Sequence, residues 1–302
     1  MSHPSLSSTY LGEEFPLTEL VKRFREEWAR RRDHTDTPVT RVASFNLLVV
    51  SQGEDEERLV EVLKGLMESH PARVIWTKMM EGRKWEDSTA RLHLECGCDG
   101  VQVCSEQVQI CCGQQPERVA SLLLSLIHEG LPTHLLWWKS GPTEGPLFER
   151  ISDRSQLVLV EPNDWPSFAQ SLPDLWLTCD RQEHAFYPLI WYQLTEARQK
   201  IAYAYGEGDI ELALPKQTNS STAEADLLTI WLETLLPHSA RTSSRARIVS
   251  TAECTEPTLN SAMHKQPLLL QSPLDAVRAA LNRPTRDPVF KKMIELIKER
   301  DF

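Results

Sequence analysis

The stretch FNLLVVSQGEDEERLVEVLKGLMESHPARVIWTKM (45–79) decides the fold class of this chain. Its first six residues form an apolar run typical of a buried strand, and residues 73–79 form a second such run. Between the two runs, apolar residues recur every three to four positions from Glu54 to Ser69, which predicts an amphipathic helix. A strand, a helix and a strand with short joints predict a βαβ unit with a parallel strand pair.

The sequence after this unit predicts more strands and helices of the same sheet. Residues 89–96 and 101–112 alternate in polarity around a glycine-containing turn, which predicts an antiparallel hairpin. An apolar helix is predicted over 116–129, followed by strands at 134–138 and 156–160. We therefore expect an α/β fold in which a mixed sheet is flanked by helices, with a second, smaller α/β unit after it.

Four regions are predicted along the chain. They are an N-terminal amphipathic helix with its linker (1–39), an α/β domain (40–185), a smaller α/β domain (186–252), and an irregular segment with C-terminal helices (253–302). The smaller domain is expected to start with one long, aromatic-rich helix over 187–205.

The composition excludes several classes of protein. A net charge of −10 disfavours nucleic-acid binding, which needs a basic face. No apolar run reaches the roughly 18 residues that span a membrane. No secretory signal is visible, so the seven cysteines indicate a reducing cytoplasm. Glycine is scarce, and the motifs GxGxxG, GxxxxGK[ST], HExxH and GxSxG do not occur, which argues against a nucleotide-dependent enzyme and predicts no cofactor.

The pair Trp137–Trp138 ends a short predicted strand. Adjacent side chains of a strand point to opposite faces of its sheet, so one ring can enter a core while the other faces a second layer, a partner or solvent. Trp138 lies nearer the following turn, and we expect it to be the exposed member. Packing of the strand between helices on both faces is the competing interpretation.

Five of the seven cysteines lie close together: Cys96, Cys98, Cys104, Cys111 and Cys112. Their spacing does not suit four convergent zinc ligands, so no metal site is predicted. A hairpin turn at 97–100 places Cys96 opposite Cys104, which makes these two the candidate redox pair. Small buried side chains of a strand pair are the alternative reading.

Tryptophan and tyrosine are the candidate partner anchors of this chain. Protein interfaces favour Trp, Tyr and Arg, and the predicted partner-binding residues are Trp137, Trp138, Trp191, Tyr192 and Arg198. Arg198 either reaches a partner carboxylate or covers its own core. Well-filled cores are the other explanation for the aromatic residues.

Several segments resemble the OpcA family, the glucose-6-phosphate dehydrogenase assembly proteins, and they occur in the order that the family shows. They are TRVASFNLLVV (40–50), HPARVI (70–75), CSEQVQI (104–110), LPTHLLWWKSGP (131–142), PLFERISDRSQLVLVEP (146–162), LIWYQLTEARQ (189–199) and LLTIWL (227–232). The chain departs from the family at Gln193, Glu196 and Ala197, where Arg, Pro and Trp are usual.

The resemblance implies a non-catalytic activator that binds glucose-6-phosphate dehydrogenase and promotes its active oligomer in the oxidative pentose phosphate pathway. It also implies redox regulation, because photosynthetic relatives couple this pathway to thiol state. The alternative function is a sugar-phosphate enzyme of the same pathway, resembling a lactonase or an isomerase. Such an enzyme would need a convergent His/Asp/Arg pocket at the carboxyl ends of the strands.

Overall fold

The computed structural model describes residues 12–33, 39–41, 43–52, 56–96, 102–138, 146–162, 168–180, 183–207, 209–215, 227–232, 246–251, 258–261 and 265–299. The chain divides into two compact units. The first comprises Met1–Glu161 with Gln182–Ala185, and the second comprises Pro162–Arg181 with Phe186–Phe302.

The first unit is built on a mixed sheet. Its strands are β1 (Phe15–Pro16), β2 (Val39–Arg41), β3 (Phe45–Ser51), β4 (Ala72–Met80), β5 (Thr89–Cys96), β6 (Gln102–Gly113), β7 (Thr133–Trp138) and β8 (Leu157–Val160). Their order is β1-β5-β6-β4-β3-β7-β8, with β2 beside β6. The strands β6, β4, β3, β7 and β8 run parallel to their neighbours, and β5 is antiparallel to both β1 and β6. The prediction of an α/β fold with a mixed sheet and a parallel β3–β4 pair is confirmed.

Helices of the first unit connect these strands. They are α1 (Leu20–Asp33), α2 (Glu56–Ser69), α3 (Pro116–Leu126) and α4 (Pro146–Ser152). The apolar stripe of α2 is fully buried at Leu59, Leu63 and Leu66, as its periodicity predicts. The helix α4 begins at Pro146, a residue suited to a first helical turn.

The two adjacent tryptophans of β7 lie on opposite faces of the sheet. Trp137 packs edge-on against Phe148 of α4, with the ring centroids 5.2 Å apart. Trp138 lies beneath the guanidinium of Arg58 of α2, 5.4 Å from its ring centroid. Because each face carries a helix, both residues are buried, with 0% and 5% of their surfaces exposed. The predicted opposite orientation follows the strand geometry, whereas the expectation that Trp138 is exposed is wrong.

The strands β5 and β6 form the predicted antiparallel hairpin. Their register pairs Cys96 with Cys104 directly across the two strands. The backbone register therefore confirms that Cys96 and Cys104 lie opposite each other, as the sequence predicts. The side chains of these two cysteines lie outside the described part of the structure, as do Cys98 and Cys254.

The second unit combines helices with a small sheet. Its elements are α5 (Phe168–Asp180), β9 (Ala185–Pro188, of which Ala185 belongs to the first unit), α6 (Leu189–Gln193), α7 (Thr195–Glu207), β10 (Ile210–Pro215), α8 (227–232), β11 (Ala246–Thr251), β12 (Thr258–Ser261), β13 (Lys265–Pro267), α9 (Pro273–Asn282) and α10 (Pro288–Lys298). The sheet order is β11-β10-β12-β13. Of these pairs, β10–β11 is parallel and the other two are antiparallel.

The prediction of one continuous helix over 187–205 is wrong. The strand β9 ends at Pro188, the short helix α6 follows, and Leu194 separates α6 from α7 with a backbone φ of −80° and ψ of 1°. Residues 258–261 and 265–267, expected to be irregular, are strands.

Candidate functional site

The strand order of the first unit defines where a ligand site would lie. Taken in chain order, the parallel strands are β3, β4, β6, β7 and β8, and their spatial order is 3-2-1-4-5. This is the order of doubly wound, dinucleotide-binding sheets. The connections diverge between β3 and β7, so the carboxyl ends of these two strands mark the topological switch point, where open α/β sheets bind ligands.

Four residues occupy the switch point of this sheet. Ser51 ends β3 and lies opposite Trp138, which ends β7. Arg58 of α2 covers the Trp138 ring, and its Nη1 lies 3.8 Å from Oε1 of the buried Glu161, which follows β8. The hydroxyl of Ser51 accepts a hydrogen bond of 2.7 Å from Nε1 of Trp76 on β4. Among the described residues, an aromatic ring and a charged pair therefore lie at this position.

A carboxylate of the chain also occupies the first turn of α2. A helix N-terminus after the first strand is the position where dinucleotide-binding sheets hold a phosphate. Here Glu56 begins the helix and forms an ion pair with Lys78 of β4. Its other oxygen accepts a hydrogen bond of 3.1 Å from Nε2 of Gln109 on β6. The negative charge favoured by the helix dipole is thus supplied within the chain.

The polar network extends from Gln109 to the edge of the sheet. Arg91 of β5 donates from Nη1 to Oε1 of Gln109 at 3.4 Å and from Nη2 to Oε2 of Glu14 at 2.9 Å. Arg83 lies 3.8 Å from the other oxygen of Glu14. A hydrogen bond with Thr89 and the charges of the two arginines lower the pKa of Glu14, against the opposing effect of its partial burial.

The loop that carries Arg83 is fixed by a close backbone contact. Gly113 ends β6, and a Cβ atom at this position would lie 2.1 Å from the carbonyl oxygen of Arg83. Only glycine permits this approach. The guanidinium is further held by donation to the carbonyl of Asp87 and, at 3.0 Å, to the hydroxyl of Thr89.

The described cysteines are not activated thiols. The pKa of Cys111 is raised, mainly by burial of its side chain. Burial also raises the pKa of Cys112 and that of Cys179 to about 12. All three are free cysteines. A reactive thiolate requires a lowered pKa, and none of these three thiols has one.

A second arginine–tryptophan contact lies in the second unit. The Cζ atom of Arg198 on α7 is 3.5 Å from the ring centroid of Trp191 on α6 and 6.0 Å from that of Trp231 on α8. Its Nη2 donates to the carbonyl of Trp191 at 3.1 Å and to the hydroxyl of Thr195 at 3.4 Å. Burial lowers the pKa of Arg198 to about 10, against the favourable charge of Asp287.

Aromatic residues surround the start of α10 beside this contact. The carboxylate of Asp287 caps the helix by accepting hydrogen bonds from the backbone amides of Val289 and Phe290. It also accepts a hydrogen bond of 3.1 Å from Nε1 of Trp191. Tyr187 donates to the carbonyl of Thr285 at 2.6 Å. Burial raises the pKa of Tyr187 to about 12, and it also raises the pKa of Tyr192.

The structure places the predicted partner-binding residues in two groups. Trp191 and Arg198 are in direct contact, and Tyr192 packs edge-on against Tyr187 at 5.4 Å. Trp137 and Trp138 are neighbours in sequence that point to opposite faces. Trp137, Trp138 and Trp191 are buried, while Tyr192 and Arg198 are partly buried. Their role in partner binding stays a prediction.

Sequence reasoning missed the charged network at the carboxyl ends of the strands. Its members are Glu14, Glu56, Arg58, Lys78, Arg83, Arg91 and Glu161. A usable signal was the charge of Lys78, which interrupts the apolar pattern near the end of a predicted strand. No sequence pattern indicated that Glu14 joins the network, because its position depends on the pairing of β1 with β5, a strand about 75 residues later in the chain.

Among the described residues, no three His, Cys, Asp or Glu side chains are arranged to hold a metal ion. No helix in the same residues is both long enough and apolar enough to cross a membrane.

The fold and site define the first unit as a doubly wound α/β domain with an arginine–tryptophan contact and a charged pair at its switch point. Residues 64–175 match the family model described as the glucose-6-phosphate dehydrogenase subunit N-terminal domain. This match supports the resemblance to the OpcA family seen in the sequence. The comparison with curated proteins found no match.

Solved structures with a distant similarity are oxidoreductases. A 3-ketoreductase from Actinomadura kijaniata, in complex with TDP-benzene and NADP, has 9% identity and a TM-score of 0.43, covering 84% of this chain and 96% of its own. Biliverdin reductase from Synechocystis sp. PCC 6803, in complex with biliverdin and NADP+, has 10% identity and a TM-score of 0.42, with the same two coverages.

Proposed function

We propose that this chain is a non-catalytic partner protein that binds glucose-6-phosphate dehydrogenase and favours its active oligomer. The observation that carries the proposal is the family match of residues 64–175. Such a protein needs only to bind the active state of the dehydrogenase more tightly than the inactive state. A tenfold preference, about 1.4 kcal/mol, is sufficient to shift the two populations usefully.

The groups at the switch point support a non-catalytic role. A dinucleotide that displaced the Arg58 guanidinium would uncover the Trp138 ring. Its phosphates would also meet the carboxylate of Glu56, which already neutralises Lys78. Both changes cost free energy, because they expose or separate groups that are now packed and paired.

A titration tests this function directly. The purified chain is added to glucose-6-phosphate dehydrogenase from the same organism at low glucose 6-phosphate, and the initial rate of NADPH formation is measured. Mass photometry of the same mixtures follows the oligomer. We expect a saturable rise in rate together with a shift to a larger complex, while an equal concentration of serum albumin changes neither.

The enzyme alternative has its own outcome in this assay. The chain alone is incubated with sugar phosphates and their lactones, and products are followed by NMR. Turnover without the dehydrogenase would support the lactonase or isomerase alternative. An unchanged dehydrogenase at saturating concentrations of the chain would contradict the proposed partner role.

The proposal includes a thiol switch at Cys96 and Cys104, which face each other in the backbone register of the hairpin. Oxidation would join the two thiols in a disulfide, with both electrons and two protons passing to an oxidant such as a thioredoxin disulfide. We expect Cys104→Ser to remove the difference in dehydrogenase activation between oxidised and reduced protein, and Cys179→Ser to preserve it. Equal activation of the dehydrogenase by the oxidised and the reduced wild-type chain would contradict the switch and favour a packing role for the cysteines.

The predicted partner-binding residues are the remaining part of the proposal. Tyr192 and Arg198 are only partly buried, so a partner can reach them without unfolding the protein. We expect Tyr192→Ala to weaken dehydrogenase binding by more than tenfold. Tyr203→Ala, on the neighbouring helix, is the matched control. Equal affinities of the two variants would remove Tyr192 from the interface.

A further inference from the structure

The N-terminal strand is held on the sheet by few contacts. In the part of the chain that the structure describes, β1 is the only strand on the outer edge of β5, and it pairs just Phe15 with Ala90 and Pro16 with Thr89. Pro16 has no amide hydrogen to donate to this ladder. The amide of Leu17 donates to the carbonyl of Ser88 at 3.0 Å. Phe15 and Leu17 are only partly buried, so the segment contributes little to a core.

The main specific contact of this segment is a single carboxylate. Glu14 pairs with Arg91 at 2.9 Å and with Arg83 at 3.8 Å. Its side chain is 40% exposed, whereas those of Arg83 and Arg91 are 21% and 17% exposed. The arginines thus belong to the body of the unit, and the carboxylate approaches them from outside.

The two arginines are oriented without the help of Glu14. Gly113 and the carbonyl of Asp87 fix Arg83, and Gln109 holds Arg91 through its side-chain oxygen. Gln109 is in turn bonded to Glu56. A preorganised pair of guanidinium groups is the arrangement that recognises a carboxylate well.

An extended chain with a carboxylate at one position is therefore the occupant that this edge fits. We propose that the outer edge of β5, with Arg83, Thr89 and Arg91, is a docking site for an extended acidic peptide of a partner protein, and that residues 12–17 occupy it in cis. Backbone pairing along β5 supplies strand addition, and the two arginines select the acidic residue. The three selecting residues lie within the family-matched segment 64–175, whereas Glu14 lies outside it.

The site is tested with a peptide that copies the segment now bound. The probe is fluorescein-labelled YLGEEFPLTE, the sequence of residues 10–19, and its anisotropy is measured with the full chain. Glu14→Arg should release the internal segment by charge repulsion and bind the probe at least tenfold more tightly than the wild type does. Glu13→Arg, at the exposed neighbouring position, is the matched control and should bind like the wild type.

Two further measurements establish the specificity. Replacing Glu14 of the probe by Gln, or adding Arg91→Ala to the Glu14→Arg chain, should weaken binding at least tenfold. Failure of the Glu14→Arg chain to bind the probe, or equal affinity for the Gln probe, would overturn the proposal. Should Glu14→Arg not fold, Glu14→Gln replaces it. Hydrogen exchange of the amides of Glu14, Phe15 and Leu17 in the wild type should be much faster than that of residues 106–110 in β6, and equal protection would contradict a displaceable segment.

Discussion

The two units of this protein each place an arginine over a tryptophan, in different surroundings. In the first unit, Arg58 lies 5.4 Å from the ring centroid of Trp138, at the carboxyl end of the sheet. In the second, Arg198 lies 3.5 Å from the ring centroid of Trp191, with its Nη2 bonded to a backbone carbonyl. The Arg58 side chain remains 32% exposed and pairs with a carboxylate. Burial lowers the pKa of Arg198 to about 10.

The difference separates a more hydrated contact in the first unit (the surface contact) from a more desolvated contact in the second (the core contact), where part of the Arg198 side chain still remains accessible. The cation–π attraction between a partly hydrated guanidinium and an aromatic ring contributes about 0.5–1 kcal/mol of stability, whereas that of a desolvated guanidinium contributes about 2 kcal/mol or more. We infer that Arg198 stabilises the second unit and that Arg58 mainly closes the switch point of the first. The same pair of residue types therefore has a structural role in the second unit and lies at the switch point of the first.

The largest expected effect comes from removing the buried ring of the second unit. Trp191→Ala deletes a ring that is packed against Phe290 and bonded to Asp287. We expect the free energy of unfolding to fall by about 3–5 kcal/mol. Urea denaturation followed by circular dichroism measures this change. Tyr203→Ala, at a residue 73% exposed in the same unit, should cost at most about 0.5 kcal/mol. Similar losses for both variants would contradict the burial contrast.

Acid should act on the interior of the first unit through His134. Burial lowers the pKa of His134 from its ordinary value of 6.5 to about 4. The folded state thus takes up a proton less readily than the unfolded state, so stability is retained above pH 6.5 and falls as the pH drops from 6.5 towards 4. At pH 5 the loss should be about 2 kcal/mol relative to pH 7.5.

The matched variant for this pH effect is His134→Gln, which keeps a polar side chain without a titrating ring. Its urea midpoint should change less between pH 7.5 and pH 5 than that of the wild type. His128→Gln, at an exposed position in the same unit, should retain the wild-type pH dependence. An acid response that His134→Gln leaves intact would assign the effect to another group.

Replacement of the Arg198 guanidinium should have the next largest effect. Arg198→Lys keeps the positive charge but removes the planar fork that bonds the carbonyl of Trp191 and the hydroxyl of Thr195. Because hydrogen bonds from charged groups contribute about 1.5–3 kcal/mol, we expect the unfolding free energy to fall by about 2 kcal/mol. Urea denaturation again provides the measurement. A loss no larger than that of Arg58→Lys would contradict the distinction between the two contacts.

The sequence predicted most of the first unit because its pattern is local. The apolar runs around 45–50 and 73–79 and the helix between them follow from side-chain periodicity alone, and so does the opposite orientation of Trp137 and Trp138. The burial of Trp138 did not follow, because it depends on which helix crosses that face. The break at Leu194 was also missed, since the apolar pattern continues across it.

The candidate site was less predictable than the fold because its residues are joined only by the sheet. Lys78 meets Glu56 across 22 positions, and Arg91 meets Glu14 across 77. Neither pair has a local sequence signature. The register of the hairpin was predictable, in contrast, because a short turn fixes which residues of its two strands face each other.

The smallest expected effect tests the switch point itself. Arg58→Lys keeps a cation near Glu161 and removes the flat group over the Trp138 ring, so the loss of stability should be below about 1 kcal/mol. The informative readout is tryptophan fluorescence, because a less covered Trp138 should be quenched more strongly by iodide. Arg154→Lys, at an exposed position, serves as the control and should leave quenching unchanged. If Arg58→Lys costs as much as Arg198→Lys and quenching does not rise, the contact in the first unit is a core contact as well, and the contrast between the two units fails.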